Sequence, residues 1–266
     1  MQAELKARQL LFAGQCVRSV YWGGGTPSIA PLWFVQELMA TLRKLFAFGE
    51  ATEVTLEANP RDVTSTWASE IYELGINRCS LGVQSTHDRL LKTLGRDHSG
   101  QEGLRAFECL RSAGFTNLSV DLILAIPGQT LGELREDVHR LLELRPEHLS
   151  LYSMSIAPRT VFFKKRARGR LTTLDEDLEA QMLQWAWSIL EEQGFVHDEV
   201  SNFSRPNSFS QHNRLYWQGG AYLGIGPGAH SFLHQDSSRG WRWENRRRVE
   251  HYIEAWLGKA TPAVIP

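Results

Sequence analysis

Five residues near the start of the chain, Gly23-Gly24-Gly25-Thr26-Pro27, have the types and spacing to do chemistry. They follow the apolar run Val17-Arg18-Ser19-Val20-Tyr21-Trp22, which reads as a buried strand. Glycines directly after a strand let backbone N–H groups approach a ligand that a Cβ would hold away. Three glycines alone serve a tight turn equally well. Four further polar residues close or interrupt apolar strand patterns: Glu57 in Val54-Thr55-Leu56-Glu57, Gln84 in Leu81-Gly82-Val83-Gln84, Asp121 in Val120-Asp121-Leu122, and Tyr152 in Leu149-Ser150-Leu151-Tyr152. A charge inside an apolar strand is costly unless it is paired, and a single one usually serves a cap or a salt bridge. Four on successive strands beside a glycine loop point to a shared ligand site. Arg96, in Leu94-Gly95-Arg96-Asp97-His98, offers a cation for a carboxylate, or is a solvated loop arginine.

The elements that must hold these residues alternate. Strands are predicted over Val17–Trp22, Glu53–Glu57, Arg78–Gln84, Leu118–Ile126 and His148–Ser153. Helices are predicted over Pro31–Phe46, Thr64–Leu74, Gln101–Ala113 and Thr130–Leu144, the last opening with the capping box Thr130-x-x-Glu133. This βαβα order predicts a parallel sheet, open or closed as a barrel, in which polar strand ends collect the chemistry. The rhythm breaks after about residue 154. A helix over Thr173–Gln193 with the capping box Thr173-x-x-Glu176 follows, then short segments rich in Ser, Asn, Gly and aromatics, a helix near Arg247–Trp256 and an uncapped tail, Thr261–Pro266. This second region reads as appended to the sheet, which divides the chain into 1–160 and 161–266.

Composition narrows the function classes. With 266 residues, 42% hydrophobic, 22% charged and a net charge of −1, nothing in the overall charge draws the chain to nucleic acid or membrane. The runs Arg246-Arg247-Arg248 and Arg166–Arg170 are short enough to be solvated faces, so no nucleic-acid partner is expected. Polar residues interrupt every apolar stretch, so no transmembrane segment is expected. The N-terminus has no signal-peptide core, and cytoplasm is the default location. Cys16, Cys79 and Cys109 are odd in number and far apart, which suits a reducing compartment and gives no local metal motif. A non-radical barrel enzyme using Glu57 or Asp121 as acid–base groups also fits these residues.

Taken in order, the motifs resemble the radical S-adenosylmethionine family, in the branch of oxygen-independent coproporphyrinogen III oxidases and HemW-like heme chaperones. The resemblance rests on Gly-Gly-Gly-Thr-Pro at 23–27, Glu-Ala-Asn-Pro at 57–60, Leu-Gly-Val-Gln-Ser at 81–85, Leu-Gly-Arg-Asp-His at 94–98, Asp-Leu-Ile at 121–123, Pro-Gly-Gln-Thr at 127–130 and His-Leu-Ser-Leu-Tyr at 148–152. It continues through Glu-Val-Ser-Asn-Phe at 199–203, His-Asn-x-x-Tyr-Trp at 212–217 and Tyr-Leu-Gly-Ile-Gly-Pro-Gly-Ala-His-Ser at 222–231. The last two blocks favour the HemW-like branch over the oxidases, whose radical decarboxylation of porphyrinogen is the alternative function.

The resemblance implies an α/β fold, a partial, open (β/α)6 TIM-like barrel lacking its first strand, with an appended α+β region. It implies that Gly24, Gly25 and Thr26 cradle the amino-acid end of S-adenosylmethionine, and that Glu57, Gln84, Arg96 and Asp121 surround the rest of it. It implies a heme contact at His212, with Tyr216 and Trp217 packing on the porphyrin and His230 as a second candidate, and heme-accepting proteins as partners. The glycine run at 224–228 superficially fits a dinucleotide fingerprint, but Pro227 and the following His-Ser-Phe do not open a helix of the required kind.

The chain also departs from the family pattern. The family's Cys-x-x-x-Cys-x-x-Cys, which holds a [4Fe-4S] cluster, has no counterpart here: only Cys16 precedes the glycine loop. The expectation is a form shortened at both ends, inactive in radical chemistry, with Val17–Trp22 left as an exposed sheet edge open to self-association. A mitochondrial form would carry a targeting segment in the part that is cut. Ala157-Pro158-Arg159-Thr160, Asp198 and Ala125 stand where the pattern has Glu-Pro-Gly-Thr, tyrosine and glycine.

Overall fold

Strict alternation of side chains along the strands sets the architecture. This computed structural model describes residues 1–236 and 239–258; the tail at 261–266 lies outside them. The elements in chain order are α1 (Gln2–Arg8), β1 (Cys16–Trp22), α2 (Leu32–Leu45), β2 (Ala47–Ala58), α3 (Ser65–Glu73), β3 (Arg78–Gln84), α4 (Asp88–Leu94), α5 (Gly100–Ser112), β4 (Leu118–Leu124), α6 (Leu131–Glu143) and β5 (His148–Ser153). They are followed by α7 (Val161–Ala167), α8 (Glu176–Glu192), β6 (Val196–Glu199), β7 (Asn202–Ser204), α9 (Gln211–Trp217), β8 (His230–His234), β9 (Gly240–Glu244) and α10 (Val249–Leu257). The main sheet has seven strands in the order β1-β2-β3-β4-β5-β7-β6, with β1 at one end. The pairs β2/β3, β3/β4 and β4/β5 are parallel, as expected of a half-barrel built from βα units.

The region after residue 154 is not wholly appended to the sheet. β7 pairs antiparallel with β5, His148 opposite Ser204, and β6 pairs antiparallel with β7. These strands are three and four residues long, too short for a periodic apolar signal to show in the sequence. The chain clusters into two compact units: Tyr21–Ala30 with Val54–Phe209, and Met1–Val20 with Pro31–Glu53 and Ser210–Pro266. The expected division at 160/161 falls inside the first of these.

In the unit containing residues 54–209, the sheet has two unlike faces. Leu56, Cys79, Leu81, Val83, Leu118, Val120, Leu122, Leu149 and Leu151 are all 3% exposed or less and form one face. Helices α5 and α8 pack on this side, with Phe107, Leu110, Met182 and Ala186 buried from them. Each such leucine contributes roughly 1.5–3 kcal/mol on burial. The opposite face carries Thr55, Glu57, Arg78, Ser80, Ser119, Asp121, His148 and Ser150 in matching register. A polar face of this kind has no role in packing helices and is where a ligand can be met.

Helix ends follow the expected caps in most cases. Thr64 accepts from the Trp67 amide, and Thr130 and Glu133 form the full capping box of α6. The box expected at Thr173 and Glu176 does not form. Helix α8 starts at Glu176 and is capped by Asp175, whose carboxylate accepts from the Asp177 amide at 3.0 Å. A charged cap beside the helix N-terminus outcompetes a hydroxyl two residues further out.

In the other unit, α1 is held through Glu4, which is fully buried. Its carboxylate accepts from the Gly226 amide at 3.1 Å, Asn245 Nδ2 at 2.7 Å and the Tyr252 hydroxyl at 2.5 Å, and pairs with Arg8 at 3.5 Å. The Arg8 guanidinium lies 5.2 Å and 5.1 Å from the Trp243 and Trp256 rings. The glycine run leads into strand β8, not a helix, and a Cβ on Gly224 would sit 2.0 Å from the His230 carbonyl oxygen. Close backbone packing accounts for that glycine.

Candidate functional site

The glycine loop is shaped by Tyr21 and Glu57. Tyr21 donates its phenolic hydrogen to Glu57 Oε1 at 2.7 Å, and the Gly24 amide donates to Oε2 at 3.2 Å. A Cβ on Gly23 would stand 2.6 Å from the Tyr21 ring, so this glycine makes room for the ring. Gly24 and Gly25 have φ of +79° and +60°, and nothing lies within 4 Å of where their Cβ atoms would be. The loop therefore presents bare backbone to open space. Thr26 precedes a short 3-10 turn, Pro27–Ile29, without capping it through its side chain. Ser28 fixes the far end, donating to Asp62 at 2.5 Å and accepting from the Asn59 amide at 3.1 Å.

Glu57, Asp121 and Tyr152 lie in one electrostatic neighbourhood. Burial pushes the Asp121 carboxyl up to about 6, while hydroxyls of Ser150 and Ser80 and the charge of Arg78 hold it down and Glu57 adds to the rise. Ser80 Oγ donates to Asp121 Oδ1 at 3.1 Å. Burial also raises the Tyr21 phenol, helped by Glu57 and then Asp121, and raises Tyr152, helped by Asp121. Tyr152 and Ile123 are register partners at the C-terminal ends of β5 and β4. Both line a cleft of about 590 Å³ that also takes in Gly95, Arg96 and Phe162. Arg96 is exposed and has no ion pair among the described residues. The sequence-predicted Glu57, Asp121 and Tyr152 thus converge on the strand ends, and Arg96 shares the cleft with Tyr152.

Gln84 ends β3 in an unusual way. Its φ is +67°, and the Ser85 amide donates to the Val83 carbonyl at 2.8 Å, which closes a γ-turn on Gln84 with positive φ. The β3/β4 register slips between Leu81 and Gln84. A residue held this way costs on the order of 1–3 kcal/mol, a strain typical of binding sites. Its side-chain amide lies over Gly82, where a Cβ would come within 2.9 Å of Nε2. Ala125, standing where the pattern has glycine, keeps a left-handed φ of +59° at the end of the next strand.

In the other unit, His212 opens α9. Its amide donates to Glu53 Oε1 at 3.1 Å and that of Gln211 to Oε2 at 2.9 Å. His212 Nδ1 lies 3.4 Å from Ser19 Oγ. The His212 ring is 4.9 Å from Tyr216, which stacks on Tyr222 at 4.3 Å. Burial and Tyr222 push the Tyr216 phenol up to about 12. Trp217 is 67% exposed and makes no ring contact among the described residues, so it does not share the His212–Tyr216 face. His230 is exposed and lies 3.8 Å from Glu244.

The donor set does not fit a [4Fe-4S] cluster. Cys16 lies on β1, Cys79 on β3 and Cys109 on α5, and no group of three His, Cys, Asp or Glu among the described residues is arranged to hold a metal ion. The strand-end residues do suit S-adenosylmethionine: bare backbone donors, fixed carboxylates and an unpaired guanidinium answer an ammonium, a carboxylate, a sulfonium and ribose hydroxyls. Sequence reading missed Tyr21, Ser80 and Ser150. Hydroxyls in apolar strands gave the only signal for them.

The description "Radical SAM superfamily" belongs to the family model that matches residues 2–141. The chain is 38% identical over 239 residues to the heme chaperone HemW of Lactococcus lactis, covering 90% of this chain and 62% of that protein. It is 36% identical over 247 residues to the heme chaperone HemW of Bacillus subtilis, covering 92% and 64%. The mouse protein "Radical S-adenosyl methionine domain-containing protein 1, mitochondrial" is 40% identical over 216 residues, covering 81% and 49%. The chain thus spans about half to two thirds of the length of these relatives. Escherichia coli coproporphyrinogen III oxidase, a radical SAM enzyme, superposes with a TM-score of 0.80 at 24% identity, covering 97% of this chain and 61% of that one, a likeness of fold. A half-barrel with this glycine loop and these relatives makes the chain a member of the radical SAM superfamily, HemW-like in sequence.

Proposed function

We propose that this chain is part of a HemW-like heme chaperone that binds S-adenosylmethionine at its strand ends and heme through α9. The observation that carries the nucleotide half is the Tyr21–Glu57–Gly24 set beside Asp121. One carboxylate is held rigid by two donors, and the loop that supplies one of them leaves open space beside Gly24 and Gly25 for a ligand. Gly24, Gly25 and Thr26 meet the amino-acid end of the ligand, and Arg96 pairs with its carboxylate. Glu57 and Asp121 face its positive charges and hydroxyls, and Gln84 supplies an amide. Bound, S-adenosylmethionine brings a sulfonium to this cleft.

His212 supplies the imidazole for heme iron, with Tyr216 as the aromatic neighbour on the same helix face. Trp217 is too exposed to be placed there without a bound porphyrin. Heme is cargo in this reading, passed to heme-accepting proteins. The oxidase alternative has only the shared fold in its support. No helix among the described residues is long and apolar enough to cross a membrane, and a cytoplasmic location is proposed alongside. Hemin titration followed at the Soret band tests the heme half. Saturable binding that weakens at least tenfold in His212→Ala supports it, and binding indifferent to His212 refutes this placement.

A further inference from the structure

The γ-turn at Gln84 does not stand alone. The two residues after it, Ser85 and Thr86, are 0% and 7% exposed, and both are gripped by one carboxylate of α6. Asp137, itself fully buried, accepts from Ser85 Oγ at 2.8 Å through Oδ2, and from the Thr86 amide and Thr86 Oγ1, both at 2.6 Å, through Oδ1. Arg140, one turn along the same helix, donates to Thr86 Oγ1 at 3.0 Å. His87 brings its Nε2 to 3.8 Å of Asp137, and its amide donates to Ser85 Oγ at 3.1 Å. On the other side, His98 Nε2 lies 3.1 Å from the Val83 carbonyl, and a Cβ on Gly100 would fall 2.0 Å from the Thr86 carbonyl oxygen. The Val83 carbonyl and the Ser85, Thr86 and His87 amides flanking Gln84 are therefore held, and the carboxylate of that clamp is Asp137.

We propose that Asp137 is a positioning residue for Gln84, holding its strained turn so that the amide faces the nucleotide site; this rests on the S-adenosylmethionine reading above. A left-handed turn on a residue with a Cβ relaxes to extended backbone when its surroundings allow it. Short hydrogen bonds to a buried carboxylate are strong enough to prevent that. Asp137 does not touch the ligand. It acts by fixing Ser85 and Thr86, which leaves Gln84 one conformation. In this geometry the two residues form a unit, so their substitutions should not add.

The test is calorimetric titration of the full chain with S-adenosylhomocysteine, for wild type, Gln84→Ala, Asp137→Asn and the double variant, with Leu141→Ala as a control. Leu141 is buried in α6 and lies outside the clamp. The expected result is a tenfold or greater loss of affinity in Gln84→Ala, a similar loss in Asp137→Asn and no further loss in the double variant. Leu141→Ala is expected to lower the melting temperature and keep the affinity. Should Asp137→Asn not fold, Ser85→Ala removes a single bond of the clamp and is expected to lower affinity in the same non-additive way. Loss in Gln84→Ala with none in the clamp variants, or with losses that add, overturns the positioning role and leaves the ligand assignment standing. Binding indifferent to Gln84, or no binding, overturns the ligand assignment and the positioning role with it.

Discussion

The phenol of Tyr21 and the carboxylate of Glu57 meet at 2.7 Å, joining the penultimate residue of β1 to the penultimate residue of β2. A tyrosine in this place does two jobs: its ring fills the space that Gly23 leaves, and its hydroxyl fixes the rotamer of an acid at the strand ends. Tyr21→Phe keeps the ring and removes one hydrogen bond, so it is expected to cost about 1 kcal/mol of stability in urea unfolding. It should also weaken S-adenosylhomocysteine binding several-fold, because the Glu57 carboxylate retains only Gly24 as a neighbour donor. Unchanged affinity would mean that Glu57 is held by other means.

Asp121 gives the chain a pH signature. Its carboxyl titrates near 6 when folded, raised from an ordinary value of about 4. Over that window the folded state holds the proton more tightly than the unfolded state, so stability falls as pH rises from about 4 to 6. Above pH 6 the buried charge carries a standing cost on the order of 2–3 kcal/mol. Asp121→Asn is expected to remove that slope and to be more stable than wild type at pH 7.5, while binding S-adenosylhomocysteine less well. Chemical denaturation of both proteins at several pH values reads the difference; parallel curves would refute the assignment.

Glu4 should be among the residues least tolerant of change. Glu4→Ala leaves Arg8 without its carboxylate and strands the donors of Gly226, Asn245 and Tyr252. Removing one partner of such a buried set costs about 3–5 kcal/mol. Glu4→Gln, which keeps an acceptor, should cost less. Melting temperatures of the two variants give the order directly.

The start of α8 offers a cleaner comparison. Asp175→Ala is expected to cost about 1 kcal/mol, the usual value of an N-cap, while Thr173→Ala should be neutral. Equal losses would restore the capping box that the sequence suggested.

The barrel was legible in the sequence because its strands are strongly patterned. Arg78–Gln84 and His148–Ser153 appear with the bounds expected, and α2, α3, α5 and α6 differ by one residue at each end, while α4 and α7 were not expected. Glu57, Asp121 and Tyr152 were legible for a related reason: an acid or phenol in an apolar strand stands out. The strands β6 and β7 were not, since a strand of three residues has no period to read. The hold of Asp137 on Ser85 and Thr86 spans more than fifty residues, and local pattern carries no trace of it. The burial of Glu4 depends on groups more than 220 residues away, which local pattern does not carry.

In the proposed reading the glycine loop and Glu57 form a nucleotide site. Calorimetric titration of wild type and Glu57→Ala with S-adenosylhomocysteine tests it most directly. One saturable site is expected in wild type, with at least a tenfold loss in Glu57→Ala. Absence of binding in wild type, or equal affinity in the two proteins, would contradict it.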